Sequence, residues 1–219
     1  MNSLLLALGW AVVGAAGGWG VRWASVRLAK LEELEPGSKG WQEYGPPALS
    51  AGVFAAFGYH DASWPILLLQ SAFILVLVQV IFFDLEHRLI LDRVVFPSMA
   101  VALVVSVVWR PLGEWNSAST SRWEGVAAGL AAGVLFLLLG LVGQAIFKTE
   151  AMGFGDVKFA ALMGLLLGPL PTIQGLFYGV VLAGIVSVGV IIATRSMRGT
   201  IAYGPYLAAG ALIMLFLGQ

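Results

Sequence analysis

The chain has 219 residues, 59% of them hydrophobic and 11% charged, with a mean hydropathy of +0.91, which excludes an ordinary soluble domain. Twelve Lys and Arg balance twelve Asp and Glu, so no bulk attraction to nucleic acid is implied. No cysteine is present, which removes disulfides and thiolate metal sites from consideration.

Eight apolar windows approach the roughly 20 residues that a spanning helix needs. They lie at about 4–23, 47–59, 64–83, 94–109, 125–147, 156–170, 173–194 and 201–217. They predict an all-α, polytopic membrane protein of about eight transmembrane helices, forming a single membrane-embedded domain over 1–219. The first run has no basic stretch before it and no small-residue cleavage site, so it reads as a retained span. The short connection at about 24–46 carries Lys30, Glu32, Glu33, Glu35, Lys39 and Glu43 around Pro36-Gly37, and reads as a short helix and a loop. In the fifth span Gly125, Gly129 and Gly133 recur every four residues, with Gly140 and Gly143 at looser spacing; close helix packing is the expected reason. The sixth window reaches only about 22 Å across a core of about 30 Å. Either the bilayer thins there, or the helix begins below the surface beside a wet cavity.

Orientation follows from Lys and Arg between the spans. With the N-terminus outside, the inside connections hold Arg22, Arg27, Lys30, Lys39, Arg88, Arg93, Lys148, Lys158, Arg195 and Arg198, and the outside ones only Arg110 and Arg122. Both termini are then outside. The outside connection at about 110–124 is flanked and occupied by Trp109, Trp115 and Trp123, as an interfacial aromatic belt requires.

Two acids fall on the inner side. Asp84 closes the third span, and Asp156 opens the sixth behind Gly153 and Gly155. Two carboxylates within hydrogen-bonding distance do not both ionise readily; one keeps a proton while the other draws one from water, which then attacks a peptide carbonyl. Glycines at 153 and 155 offer unusual φ/ψ values and a close approach for a substrate strand. The residues alone leave plainer readings open. Asp84 would serve as a juxtamembrane acid, Asp156 as a helix N-cap, Glu86, His87, Arg88 and Asp92 as loop charges, and Lys158 as a snorkelling or positive-inside lysine. His60 belongs to an outside connection and gives His87 no second imidazole, so neither a metal nor another cofactor is expected.

These segments resemble a known family. Phe83-Asp84-Leu85-Glu86-His87-Arg88-Leu89-Ile90-Leu91-Asp92, followed by Pro97, resembles the first aspartate motif of the type IV prepilin peptidases. Met152-Gly153-Phe154-Gly155-Asp156-Val157-Lys158 is similar to their Gly-x-Gly-Asp-x-Lys motif, and Tyr203-Gly204-Pro205-Tyr206-Leu207-Ala208-Ala209-Gly210 to their closing Phe-Gly-Pro-Phe-x-x-x-Gly element. The resemblance implies a membrane aspartyl endopeptidase of the cytoplasmic (inner) membrane that removes the short basic leader of prepilins or pseudopilins at the cytoplasmic face. Asp84 and Asp156 match the catalytic pair, with Gly153, Gly155, Lys158 and Asp92 as motif support. Many bacterial members carry Cys-x-x-Cys pairs in a large first loop and methylate the new N-terminus. Here that loop is short and cysteine-free, Pro47-Ala48-Leu49-Ser50 lacks the glutamate of the usual Pro-Leu-x-Glu start, and Leu91 replaces the proline before Asp92. A peptidase-only or minimal form is therefore expected.

Two rivals stand beside it. Presenilin-like intramembrane proteases carry Pro-Ala-Leu after the Gly-x-Gly-Asp motif, whereas Pro47-Ala48-Leu49 precedes it here. A transporter or assembly scaffold favours charges near mid-span, whereas these acids sit at span ends.

Overall fold

The computed structural model describes residues 3–59, 64–109, 112, 123–148, 153–194 and 202–218. Among the described residues there are eight α-helices: α1 (Ser3–Leu31), α2 (Gly40–Tyr59), α3 (Trp64–His87), α4 (Asp92–Val108), α5 (Glu124–Phe147), α6 (Phe154–Leu167), α7 (Pro169–Thr194) and α8 (Gly204–Leu217). Four stretches are long and apolar enough to cross a bilayer: Ser3–Leu31, Trp64–His87, Glu124–Ile146 and Pro169–Ala193. Long rows of large apolar side chains stay exposed along them, such as Leu130, Leu138 and Leu141 on α5 and Ile173, Phe177 and Ile185 on α7. Only a hydrocarbon environment makes such surfaces stable, so this is a multi-pass membrane protein.

The helices form two compact units, with the chain passing from one to the other between Arg88 and Leu89. In the first unit α1, α2 and α3 pack together. Gly14 and Gly18 let α1 reach the backbone of α2; a Cβ at Gly14 would stand 2.5 Å from the Ser50 carbonyl oxygen, and one at Gly18 would strike Pro46 and Pro47. Without a hydrophobic force between helices in lipid, such close approach and polar links hold them. Trp10 Nε1 donates to Ser71 Oγ at 2.9 Å and Gln79 Nε2 to Ser25 Oγ at 2.9 Å.

The expected connection at 24–46 is largely helical. α1 runs on to Leu31, because its Arg and Lys interrupt the hydropathy but not the helix. It ends where Leu34 N–H donates to the Ala29 carbonyl at 2.8 Å and Glu33 takes a left-handed φ of 58°. The linker is residues 32–39, and α2 begins at Gly40.

In the second unit α6 packs on α4, α5, α7 and α8. Phe159, Ala160, Leu162, Met163, Leu166 and Leu167 are all buried, so from Phe159 onward this 14-residue helix is apolar on every side because it is enclosed there on every side. Two of the fifth-span glycines, Gly129 and Gly133, serve that packing. A Cβ at Gly129 would lie 2.8 Å from Leu165 Cγ and one at Gly133 3.2 Å from Ala161 Cβ, while Gly164 faces Ala128 and Gly129 in return. α6 stops at Leu167, short of the expected 170, because Gly168 at φ 85° and ψ 177° turns the chain into Pro169. On α8, Gly210 meets Gly175 of α7, which gives the closing glycine of the Tyr203–Gly210 segment a packing role. His60, Arg110, Trp115, Arg122, Met152, Arg195 and Arg198 lie outside the described residues.

Candidate active site

Asp84 is not in a loop. α3 continues to His87, so Asp84 stands in its last turn, 4% exposed, beside Phe83 at 2%. Its carbonyl accepts the Arg88 N–H at 2.8 Å, and Arg88 leaves the helix with a left-handed φ of 54°.

Glu86 is a larger departure from the loop-charge reading. Its side chain is 6% exposed and pairs with Arg22 of α1, Nη1 to Oε2, at 3.2 Å. The Gly37 N–H donates to Glu86 Oε1, and Arg22 Nη2 donates to the Gly37 carbonyl. His87 Nε2 lies 3.3 Å from Glu86 Oε1, and its ring centroid lies 4.7 Å from that of Phe83. Sequence shows charges but not their partners, and Arg22 is 64 positions away. The available signal was that Arg22 and Glu86 are opposite charges beside the ends of two apolar runs.

At the start of α6, the N-cap is Gly153, so the N-cap reading of Asp156 is corrected: Asp156 is the third helical residue. Its N–H donates to the Gly153 carbonyl at 3.1 Å, and its half-buried carboxylate folds back to accept a hydrogen bond from the Gly153 backbone. An acid in a first turn suits the positive end of the helix dipole. The glycines are also corrected. Gly153 has an ordinary extended conformation, φ −70° and ψ 144°, and Gly155 is helical. What Gly155 supplies is room, since a Cβ there would stand 2.9 Å from Ile90 Cβ.

Lys158 is ion-paired. Its Nζ holds both carboxylate oxygens of Asp92, at 2.7 and 2.8 Å, and lies 4.9 Å from the ring centroids of both Phe96 and Phe154. Asp92 is the first residue of α4, not a loop charge. The second unit thus brings Asp156, Gly153, Gly155, Lys158 and Asp92 together where α4 and α6 begin. Asp84 belongs to the first unit, with Glu86, His87 and Arg22. Among the described residues no group of three His, Cys, Asp or Glu side chains is placed to hold a metal ion.

Residues 71–188 match the model of the type IV leader peptidase family, a stretch that contains both acids. A prepilin leader peptidase/N-methyltransferase of Stutzerimonas stutzeri is 28% identical over 176 residues, covering 78% of this chain and 55% of the relative. Another of the same name, from Bacillus subtilis (strain 168), is 26% identical over 175 residues, covering 78% of this chain and 64% of the relative. The chain therefore spans less than two thirds of the length of these curated relatives. No solved structure matches it. With more than half of its sequence matched to the family model, the chain belongs to the type IV leader peptidase family.

Proposed function

We propose that this protein is a membrane aspartyl endopeptidase that removes the basic leader of prepilins or pseudopilins at the cytoplasmic face, with Asp84 and Asp156 as its two carboxylates. The observation that carries the reading is the Gly-x-Gly-Asp turn opening the enclosed helix α6, within a family match that also contains Asp84. The names of the two relatives support the substrate class. The Lys and Arg count supports the cytoplasmic side.

In the proposed reaction the ionised member of the pair takes a proton from water as the oxygen attacks the scissile carbonyl carbon. The protonated member donates to the carbonyl oxygen as the tetrahedral centre forms. Collapse then re-forms the carbonyl and breaks the C–N bond; the leaving amine takes up the proton drawn from water, and a hydroxyl proton of the diol returns to the carboxylate that had donated one, restoring the pair. The two acids titrate as a pair, so neither owns a role at all times. Lys158 and Asp92 act by holding the turn that carries Asp156.

The test is co-expression with a candidate prepilin and intact-mass analysis of its N-terminus. Wild type yields the leaderless product, whereas Asp84→Asn and Asp156→Asn each abolish it while the protein still accumulates in the membrane. A peptidase-only form leaves the new N-terminus unmethylated in the same spectrum. Cleavage retained in either Asn variant would remove the pair from the chemistry.

A further inference from the structure

Two residues beyond Asp84, a charged cluster closes the first unit. The Glu86 and Arg22 side chains are 6% and 12% exposed, and burial of that degree is costly for ions unless each is paired and hydrogen-bonded. Gly37 completes both: its N–H donates to Glu86 and its carbonyl accepts from Arg22. Gly37 is itself fixed, because the Gln42 side chain occupies the space a Cβ would need, and Gln42 Oε1 accepts the Lys39 N–H at 2.8 Å. Residues 34–39 are thereby strapped to the end of α3.

The strap matters because of where Asp84 stands. Terminal helical turns fray unless side chains hold them. The last turn of α3 contains Asp84 and is closed by the bond from Arg88 N–H, at a residue in the left-handed region. The contacts of Glu86 and the tilted ring contact of Phe83 with His87, at 49° between their planes, lock that turn. We propose that Arg22 and Glu86 are positioning residues, whose buried ion pair, bridged by Gly37, straps the 34–39 loop to the last turn of α3 and fixes the direction of the Asp84 carboxylate. The proposal rests on Asp84 being one of the catalytic carboxylates.

The experiment uses the full chain in lipid nanodiscs. It compares wild type with Glu86→Gln, Arg22→Met and the double variant, measuring kcat and KM on a prepilin, and digestion at Lys39 by a Lys-specific protease. Positioning predicts that each single change lowers kcat by about 10–100-fold with KM altered less than about threefold. The double variant falls no further than the worse single, since both break one interaction. Digestion at Lys39 rises in all three. Faster digestion at wild-type kcat overturns the proposal, as do losses that multiply in the double variant. If Glu86→Gln and Arg22→Met fail to accumulate, Arg22→Lys is read instead. It keeps the charge but loses the second arm to Gly37, so a lowered kcat supports the proposal and an unchanged one overturns it. If the wild type itself cuts no prepilin, the functional reading has failed. Digestion then decides the strap separately: a rise in Glu86→Gln upholds it and no change refutes it.

Discussion

Gly153 and Gly155 stand two positions apart in one motif, yet different constraints act on them. At Gly153 the backbone is one any L-residue adopts, and an added Cβ would lie 3.6 Å from Asp156 Oδ2, an ordinary contact. At Gly155 the same addition would stand 2.9 Å from Ile90 Cβ, an atom fixed to backbone that moves only if residues 89–91 move. Gly155→Ala is therefore expected to displace the first turn of α6, and a displacement of about 1 Å at a catalytic group costs on the order of 100-fold in rate. Gly153→Ala keeps leader cleavage within a fewfold of wild type. Rates of prepilin processing, compared at equal membrane abundance, check the asymmetry; equal damage at both positions would contradict it. Gly168 is the separate case in which conformation decides, because φ 85° with ψ 177° lies in a region nearly closed to side chains.

Helix ends carry the candidate chemistry. Asp84 occupies the last turn of α3 and Asp156 the first turn of α6, and in each case the residue two further along is ion-paired: Glu86 to Arg22, and Lys158 to Asp92. Such positions give an acid access to the polar margin while the rest of the helix stays apolar, and they also make it prone to fraying. Asp92 is 55% exposed, so the Coulomb attraction of its bridge is largely screened and its worth lies in geometry. It fastens the start of α4 to the start of α6, with Lys158 seated between Phe96 and Phe154. Lys158→Met and Asp92→Asn are each expected to lower kcat about tenfold, and the double variant to match the worse single, as a double-mutant cycle on one contact requires. Lys158→Arg keeps most of the rate. Asp92→Asn at the wild-type rate would show that the bridge does not hold Asp156. The motif residues themselves were legible from the sequence, since acids and glycines at the edges of apolar runs stand out against hydrocarbon composition. Their partners were not: Lys158 reaches Asp92 across 66 positions, and nothing local in either segment announces the other.

For the molecule as a whole, the eight helical segments were readable because each is an apolar run between polar breaks, whereas their ends were not. Hydropathy falls at Arg22 while α1 continues to Leu31, and α6 closes at Gly168 for a conformational reason that apolarity does not report. Topology is where these lengths bear on function. Two helices, α4 and α5, separate Asp84 from Asp156 along the chain, so the proposed chemistry requires both to cross the bilayer. α5 is long and apolar enough, whereas α4 has 17 residues, about 25 Å at the helical rise, against a core of about 30 Å. If α4 failed to cross, the two acids would open to opposite faces and could not act on one peptide bond. The absence of native cysteine makes the question clean, because a single introduced thiol is the sole labelling site. An impermeant thiol reagent applied to intact cells is expected to label Ser3→Cys, Trp123→Cys and Gly218→Cys. Ser38→Cys and Lys148→Cys should react only after permeabilisation, following the Lys and Arg distribution. Trp123→Cys shielded together with Ser38→Cys would mean that α4 does not span. The pairing of Asp84 with Asp156 would fall with it, whatever the single Asn variants had shown.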